Sequence, residues 1–156
     1  MRLSLISSVL FLGLVFAGCD SNDLSGGTST PSDLATLATA LGCATVLPTS
    51  PGQTHSGSLA SNDCSPPFTG DNSKIDFYGF RLTQSMNLTI NLESSDFDSF
   101  LVLFNSSADV LETDDDSGVG LDSRITTSLE PGLYAIGANS AFTTADLGSY
   151  TLSVSN

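Results

Sequence analysis

Short segments in which apolar and polar residues alternate recur along most of this chain. In the segment MNLTINLE (86–93), Met, Leu, Ile and Leu occupy every second position, with Asn and Thr between them. Strict alternation is typical of a strand that has one face in a core and the other in water. Further strands are predicted for IDFYGFRLT (75–83) and GSYTLSVSN (148–156), and two more within SRITTSLEPGLYAIGANS (123–140), on either side of the turn Glu130-Pro131-Gly132.

One segment, SFLVLFN (99–105), is apolar at almost every position. A strand of this kind is covered on both faces, so it is predicted to lie inside the fold. Together with short candidates near residues 44–48 and 55–60, about eight strands follow one another without helices between them. The chain is therefore predicted to be an all-β protein, an antiparallel β-sandwich that is jelly-roll-like.

The N-terminus, MRLSLISSVLFLGLVFAGC, has one basic residue and then an apolar run too short for an ordinary membrane-spanning helix. Its end, FAGC, resembles a bacterial lipobox, in which cleavage precedes a cysteine that receives lipid. We expect a signal peptide over 1–18 and lipidation of Cys19; an ordinary signal peptide is the alternative. Residues 19–42 are expected to form a flexible tether and a short helix, capped by Ser32 and stopped by Gly42, before a sandwich domain over 43–156.

The charge of the chain restricts its partners. Seventeen acids face four bases, and the net charge of −13 becomes −14 if residues 1–18, with Arg2, are removed. This balance argues against nucleic-acid binding and against direct adsorption to an anionic lipid surface. We expect a bilayer contact only through acylated Cys19, and otherwise a cation, a protein or a polymer as the partner.

Cysteine counting predicts one disulfide. Lipidation uses Cys19, which leaves Cys43 and Cys64 as an even pair in an exported protein. An oxidising compartment favours the Cys43–Cys64 bond. Two cysteines and a single distant histidine do not complete a zinc site.

Carboxylates stand at both ends of a predicted hairpin, DFDSFLVLFNSSADVLETDDDSG (96–118). With the turn centred on Ser107, strict pairing sets Asp98 opposite Asp116, while Asp115 points to the other face. The acids expected to converge are Asp96, Asp98, Asp114, Asp116 and Asp122.

Such a convergence has two interpretations. The first is a calcium site, because calcium prefers carboxylate and carbonyl oxygens. The second is a solvated or hydrogen-bonded turn, braced by Arg124, since Asp and Ser are good turn formers. The spacing matches no EF-hand loop.

No catalytic pattern stands out in the chain. The only histidine, His55, lies in the Pro/Gly-rich stretch PTSPGQTHSG and is expected to be an exposed loop residue rather than part of a Ser-His-Asp system. A glycosidase would need a cleft around its carboxylates, but the chain shows no cleft elements and has no Trp to stack against a sugar. The chain is therefore expected not to be an enzyme.

The order of several short motifs resembles the bacterial pre-peptidase C-terminal domain over Gly57 to Ser155. The motifs are Asp98-Ser99 before the apolar strand, the Asp114–Asp116 turn, Pro131-Gly132-Leu133-Tyr134 and Gly148-Ser149-Tyr150. The resemblance implies a small jelly-roll-like sandwich without catalysis of its own. Relatives usually follow secreted proteases, where they assist secretion or bind collagen or insoluble polymers, and some bind calcium.

These observations together indicate a non-catalytic lipoprotein of the bacterial cell envelope. It is expected to face the periplasm or the exterior, on the inner or the outer membrane, as a free-standing copy of the domain. Its expected role is binding or adhesion to an extracellular or periplasmic polymer or protein. The alternatives are a structural subunit of an envelope complex and an accessory that recruits a separate secreted protease.

Overall fold

The structure is a computed structural model that describes residues 27–65, 73–141 and 146–156. The predicted signal peptide and Cys19 lie outside these ranges. One helix, α1, spans Pro31–Leu41. The strands, in chain order, are β1 Leu47–Pro48, β2 Thr54–Leu59, β3 Ile75–Leu82, β4 Met86–Glu93, β5 Ser99–Asn105, β6 Val110–Asp114, β7 Ser123–Leu129, β8 Gly132–Ser140 and β9 Gly148–Ser155.

The strands form two sheets that pack face to face. One sheet has the order β1-β3-β8-β5-β6 and the other has the order β2-β9-β4-β7. All pairs are antiparallel except β1 with β3, which is parallel. From β2 to β9, each strand lies in the opposite sheet from the one before it, except β6, which follows β5 in the same sheet. The predicted all-β sandwich is confirmed.

The middle strands of the five-stranded sheet are apolar on both faces, so two cores form. On β5, Leu101 and Leu103 enter the core between the sheets, whereas Val102 and Phe104 enter a second core on the other side. Strand β3 behaves in the same way, with Tyr78 and the residues in phase with it inside the sandwich and Phe77 outside it. The prediction that 99–105 is covered on both faces is confirmed.

Helix α1 covers the second core and belongs to the folded unit. Leu37 and Leu41 are buried against the five-stranded sheet. The helix begins at a capping box in which Thr30 accepts from the Asp33 amide and Asp33 accepts from the Thr30 amide. The predicted cap at Ser32 is therefore wrong by two residues, because Pro31 occupies the first helical position, where its missing amide costs nothing. The end at Gly42 is as predicted.

A charged contact joins this helix to the sheet. The Arg81 guanidinium donates to both carboxylate oxygens of Asp33, with Nε 3.1 Å from Oδ2. Hydrogen bonds from Arg81 and then from Thr30 hold the pKa of Asp33 well below its usual range. Ser29 also donates to the Gly79 carbonyl at 3.1 Å. The folded unit thus starts before residue 43, where the sequence placed its boundary, and the end of the predicted tether is already docked.

The Cys43–Cys64 disulfide is formed, as predicted. It joins the segment after α1 to a residue whose carbonyl accepts from the Ile75 amide at 3.0 Å. The covalent link therefore fastens the helical layer to the start of β3.

A chain of hydroxyls crosses the sandwich between the two sheets. The Tyr78 and Tyr150 hydroxyls lie 2.8 Å apart, and Tyr150 donates to Asp76 Oδ2 at 2.6 Å. Burial raises the pKa of Asp76, and the hydrogen bond from Tyr150 opposes that rise. Gly57 faces the Tyr150 ring so closely that a Cβ would overlap it. The polar chain is thus held by β2, β3 and β9 together.

Removing the disulfide is expected to lower the free energy of unfolding by roughly 3 kcal/mol, since its loop of about 20 residues is no longer closed in the unfolded chain. Urea unfolding of Cys43→Ala/Cys64→Ala measures this loss. Reductant should bring the unmodified chain close to the stability of the double variant and leave the variant unchanged. A stability of the unmodified chain that ignores reductant contradicts the expectation.

Tyr150→Phe is expected to cost about 1–3 kcal/mol, because it leaves the half-buried Asp76 carboxylate without the Tyr150 donor. Burial raises the pKa of Asp76 in the folded protein above its value in the unfolded chain. The free energy of unfolding therefore falls as the pH rises from the unfolded to the folded pKa of Asp76. Without the hydrogen bond from Tyr150, the folded pKa of Asp76 rises further. The cost of the substitution should therefore be smaller at pH 4, where more of Asp76 is protonated, than at pH 7. Urea unfolding at both pH values measures the difference.

Tyr134→Phe is the matched control, since its hydroxyl donates to the Glu130 carbonyl rather than to a carboxylate. Its cost should be the same at both pH values. An equal cost of Tyr150→Phe at pH 4 and pH 7 contradicts the coupling to Asp76.

Candidate functional site

Three carboxylates gather at one end of the sandwich. Asp98 precedes β5, and Asp115 and Asp116 follow β6; ligand oxygens of all three lie within 4.8 Å of one another. We call this group the acidic cluster. Strands β5 and β6 pair antiparallel, so the start of β5 and the end of β6 lie at the same end of the sheet.

The loop after β6 is folded so that Asp115 and Asp116 project toward Asp98. The Asp114 carboxylate accepts from the amides of Ser117 at 3.0 Å and Arg124 at 2.7 Å, which closes the loop on β7. Burial alone would raise the pKa of Asp114, but these hydrogen bonds lower it below its usual value. Asp114 is therefore a brace of the loop and not a member of the acidic cluster.

Asp96 and Asp122, also predicted for the site, brace loops in the same way. Asp96 Oδ2 accepts from the Ser149 amide at 2.8 Å, and Asp122 Oδ1 accepts from the Ser94 amide at 3.1 Å. Of the five predicted acids, the structure thus brings Asp98 and Asp116 together and gives Asp96, Asp114 and Asp122 backbone partners.

Asp115 was predicted to point away and instead joins the acidic cluster. The register of β5 with β6 shifts between Leu103 and Phe104, and the ladder ends at the Leu101–Asp114 pair. Asp115 therefore lies beyond the strand, where alternation no longer fixes its direction. The predicted opposition of Asp98 and Asp116 is also wrong, because the shifted ladder stops before reaching either residue.

A buried pair of serines supports the cluster from below. Ser99 and Ser123 hydroxyls lie 3.0 Å apart, and Ser99 Oγ also donates to the Leu92 carbonyl at 2.9 Å. Ser99 Oγ accepts from the Ser123 amide at 2.8 Å. These bonds join the two sheets directly beside Asp98, a role for which the Asp-Ser motif was the only sequence signal.

The acidic cluster is electrostatically unfavourable by itself. Burial raises the pKa of Asp98, and the carboxylates of Asp116 and Asp146 raise it further. Burial also raises the pKa of Asp115, followed by repulsion from Asp116, Asp98 and Asp114. At an effective dielectric near 20, two carboxylates at this separation repel by about 3 kcal/mol, which solvent screening reduces.

Arg124 does not neutralise these acids, contrary to the bracing role considered for it. Its side-chain Nε donates to Asn91 Oδ1 at 2.6 Å, on the four-stranded sheet, and only its backbone amide contacts Asp114. Within the described ranges, the one ion pair is that of Arg81 with Asp33.

The donor set of the acidic cluster fits a hard divalent cation. Asp98 Oδ1 and Asp115 Oδ1 are buried and have no hydrogen-bond partner among the residues described. Calcium favours such carboxylate oxygens and takes about six to eight oxygens in all. Asp98, Asp115 and Asp116 would supply part of that shell, and the charge of the ion would offset their repulsion.

His55 was predicted to be an exposed loop residue, but it lies on β2 and is partly buried. Its Nε2 is 2.8 Å from Thr49 Oγ1, and its ring centroid is 5.0 Å from that of Tyr78. Burial lowers the pKa of His55, so the neutral form predominates at pH 7. Both contacts fix the position of the His55 ring against β2 and the sandwich.

Comparison with solved structures identifies the fold. Over 70% of this chain and 94% of the other, the structure matches the pre-peptidase C-terminal domain of a collagenase from Bacillus anthracis, with a TM-score of 0.55 and 18% identity. It also matches Aeromonas hydrophila PliG, a periplasmic inhibitor of g-type lysozyme, over 71% of this chain and 95% of the other, with a TM-score of 0.50 and 15% identity. The chain therefore has the fold of a pre-peptidase C-terminal domain, as the motifs predicted.

Sequence comparison adds nothing further, since no family model and no curated protein matches the chain. In the ranges that the structure describes, no helix is long and apolar enough to cross a membrane.

Asp98→Asn is expected to raise the melting temperature in chelator by about 2–4 °C, because it removes one charge from the acidic cluster. Millimolar calcium should raise the melting temperature of the unmodified chain and leave that of Asp98→Asn nearly unchanged. Differential scanning fluorimetry with chelator and with calcium measures both effects.

The matched control is Glu93→Gln, which removes the same charge at an exposed position on β4. Its melting temperature should respond to calcium as that of the unmodified chain does. A lower melting temperature of Asp98→Asn in chelator, or indifference of the unmodified chain to calcium, contradicts the metal site.

Proposed function

We propose that this chain is a non-catalytic binding module of the bacterial cell envelope, anchored by lipid at Cys19 and stabilised by calcium at the acidic cluster. Its sandwich would bind an extracellular or periplasmic protein or polymer. The observation that carries the proposal is the acidic cluster, a group of carboxylates on a rigid sandwich end. A chain with a net charge of −13 attracts cations and basic partners.

The position of the tether supports this role. Gly27, the first residue described, packs beside Thr83 just after the end of β3. The acidic cluster lies at the other end, since the backbone carbonyl of Asp98 accepts from the Ala141 amide and Asn139 pairs with Ile75, the first residue of β3. An eight-residue strand is about 25 Å long. A lipid anchor preceding Gly27 would thus hold the acidic cluster away from the membrane.

Anionic headgroups favour the same orientation. They repel the acidic end, so the domain would extend from the surface and present that end to a partner. The tether that precedes Gly27, DSNDLSG (20–26), is rich in Ser and Asp and would permit this reorientation.

The two alternatives to adhesion are an accessory role for a secreted protease and a structural role in an envelope complex. The likeness to a collagenase domain favours a role as an accessory that recruits a separate secreted protease to its substrate. The likeness to PliG favours a protein ligand, with g-type lysozyme as one candidate, over a polymer. A structural role in an envelope complex would require a protein partner in the same membrane.

A defined panel of ligands tests the proposal. The lipidated chain, held in nanodiscs, is assayed by biolayer interferometry against collagen, peptidoglycan and g-type lysozyme, and in cells by cross-linking to envelope proteins. We expect saturable binding to one class, weakened by salt because charge steers the encounter. Replacing Asp98, Asp115 and Asp116 together by Asn should weaken it about tenfold in calcium-free buffer.

The charge-matched control is the triple variant Asp23→Asn/Glu93→Gln/Glu130→Gln, which removes three charges outside the acidic cluster and outside residues 106–121 and should bind as the unmodified chain does. Partner identity separates the alternatives, since a matrix polymer favours adhesion and an envelope protein favours assembly. Failure to bind any member of the panel and any envelope protein, or turnover of a bound substrate, would overturn the proposal.

A further inference from the structure

Strand β6 forms an open edge of the five-stranded sheet. It pairs with β5 on one side only. Across the described ranges, no backbone group outside β5 hydrogen-bonds to the backbone of Val110–Asp114. The alternate amides and carbonyls that face away from β5 are therefore available to another strand.

Exposed apolar side chains are concentrated at this edge and in the loop that follows it. Of the six large apolar side chains that the described ranges leave exposed, four lie between residues 110 and 121. Val110 and Leu111, both on β6, are 53% and 47% exposed. Isolated apolar residues on a surface need no explanation, but two adjacent ones on an unpaired strand do.

The other edge strands lack this combination. Strand β1 has only two residues, and one of them is Pro48, which cannot donate a ladder hydrogen bond. The exposed positions of β2 and β7 carry hydroxyl side chains and Arg124. Strand β6 is thus the edge that offers both backbone groups and apolar contact area.

The charge around β6 selects the kind of strand that fits. From Ser106 to Leu121 the chain has no base and five acids, which are Asp109, Glu112, Asp114, Asp115 and Asp116. A second copy is a poor occupant, because antiparallel pairing about Glu112 would set that carboxylate opposite its own counterpart. A strand with lysine or arginine at alternate positions would instead face opposite charges.

We infer that β6 is a docking edge for an extended segment of a partner protein in which basic and apolar side chains alternate. Main-chain hydrogen bonds would extend the sheet by one strand. Val110 and Leu111 would contact the apolar side chains, and Glu112 with its acidic neighbours would contact the basic ones. The inference deepens the proposed function, on which it rests, by naming the chemistry of the partner.

The probe is a fluorescent eight-residue peptide that alternates lysine and valine, titrated by anisotropy against the full chain in detergent micelles with chelator. We expect saturable binding. The same peptide, N-methylated at every amide, keeps its charges and side chains but cannot donate main-chain hydrogen bonds, so it should bind at least about tenfold more weakly.

Variants locate the binding on β6. Glu112→Lys should weaken binding about tenfold, whereas Glu93→Lys makes the same charge change on the other sheet and should alter it less than about twofold. Val110→Ser/Leu111→Ser should also weaken binding, whereas Leu47→Ser, an exposed position on the opposite edge, should not. All five substituted residues are partly or fully exposed, and circular dichroism checks that each variant is folded.

Equal weakening by Glu112→Lys and Glu93→Lys, or equal binding of the N-methylated peptide, would show general charge attraction and overturn the docking edge. Absence of peptide binding would overturn it as well. If a partner from the ligand panel still binds in that case, the binding module stands and only the proposed edge is wrong.

Discussion

The fold depends on the need to cover both faces of one sheet. Strands β3, β5 and β8 carry apolar side chains on both sides, so a single layer of protein against them would leave half of that surface in water. The four-stranded sheet covers one face and helix α1 covers the other. The Cys43–Cys64 bond and the contact of Arg81 with Asp33 then hold the helical layer in place. These two links are needed because an eleven-residue helix is marginal by itself.

Covering the middle strands restricts where polar chemistry can lie. Charged groups are excluded from both cores and are left to loops, strand ends and edges. The exception is the Tyr78–Tyr150–Asp76 chain, where each polar group has a partner. The acidic cluster lies where β5 begins and β6 ends, with Asp98 and Asp115 partly buried and Asp116 exposed to water. Its rigidity comes from the buried serine pair and the Asp114 brace beneath it.

Much of this arrangement follows from the sequence, because side-chain alternation and cysteine counting reflect local constraints. The double-sided strand 99–105, the sandwich and the disulfide pair were all predicted in this way. The predictions that were wrong concern side chains whose positions are set by how the strands pair and not by the local sequence pattern. A shift between Leu103 and Phe104 carried Asp115 into the acidic cluster, and no alternation rule reports such a shift. Likewise, the Arg124 side chain donates to Asn91, and it is the pairing of β4 with β7 that brings these two residues together.

The same geometry explains why acids, rather than bases, suit this surface. With the anchor that we propose at Cys19, the end of the domain near Gly27 would lie close to the bilayer and the acidic cluster would lie at the other end. Basic groups at that far end would draw it down onto anionic headgroups, whereas carboxylates would keep it extended. The acids on β6 also repel those on a second copy of the chain, so they oppose edge-to-edge pairing of two β6 strands. In the proposed orientation, repulsion from the membrane and from other copies would leave this acidic surface open to a partner of opposite charge.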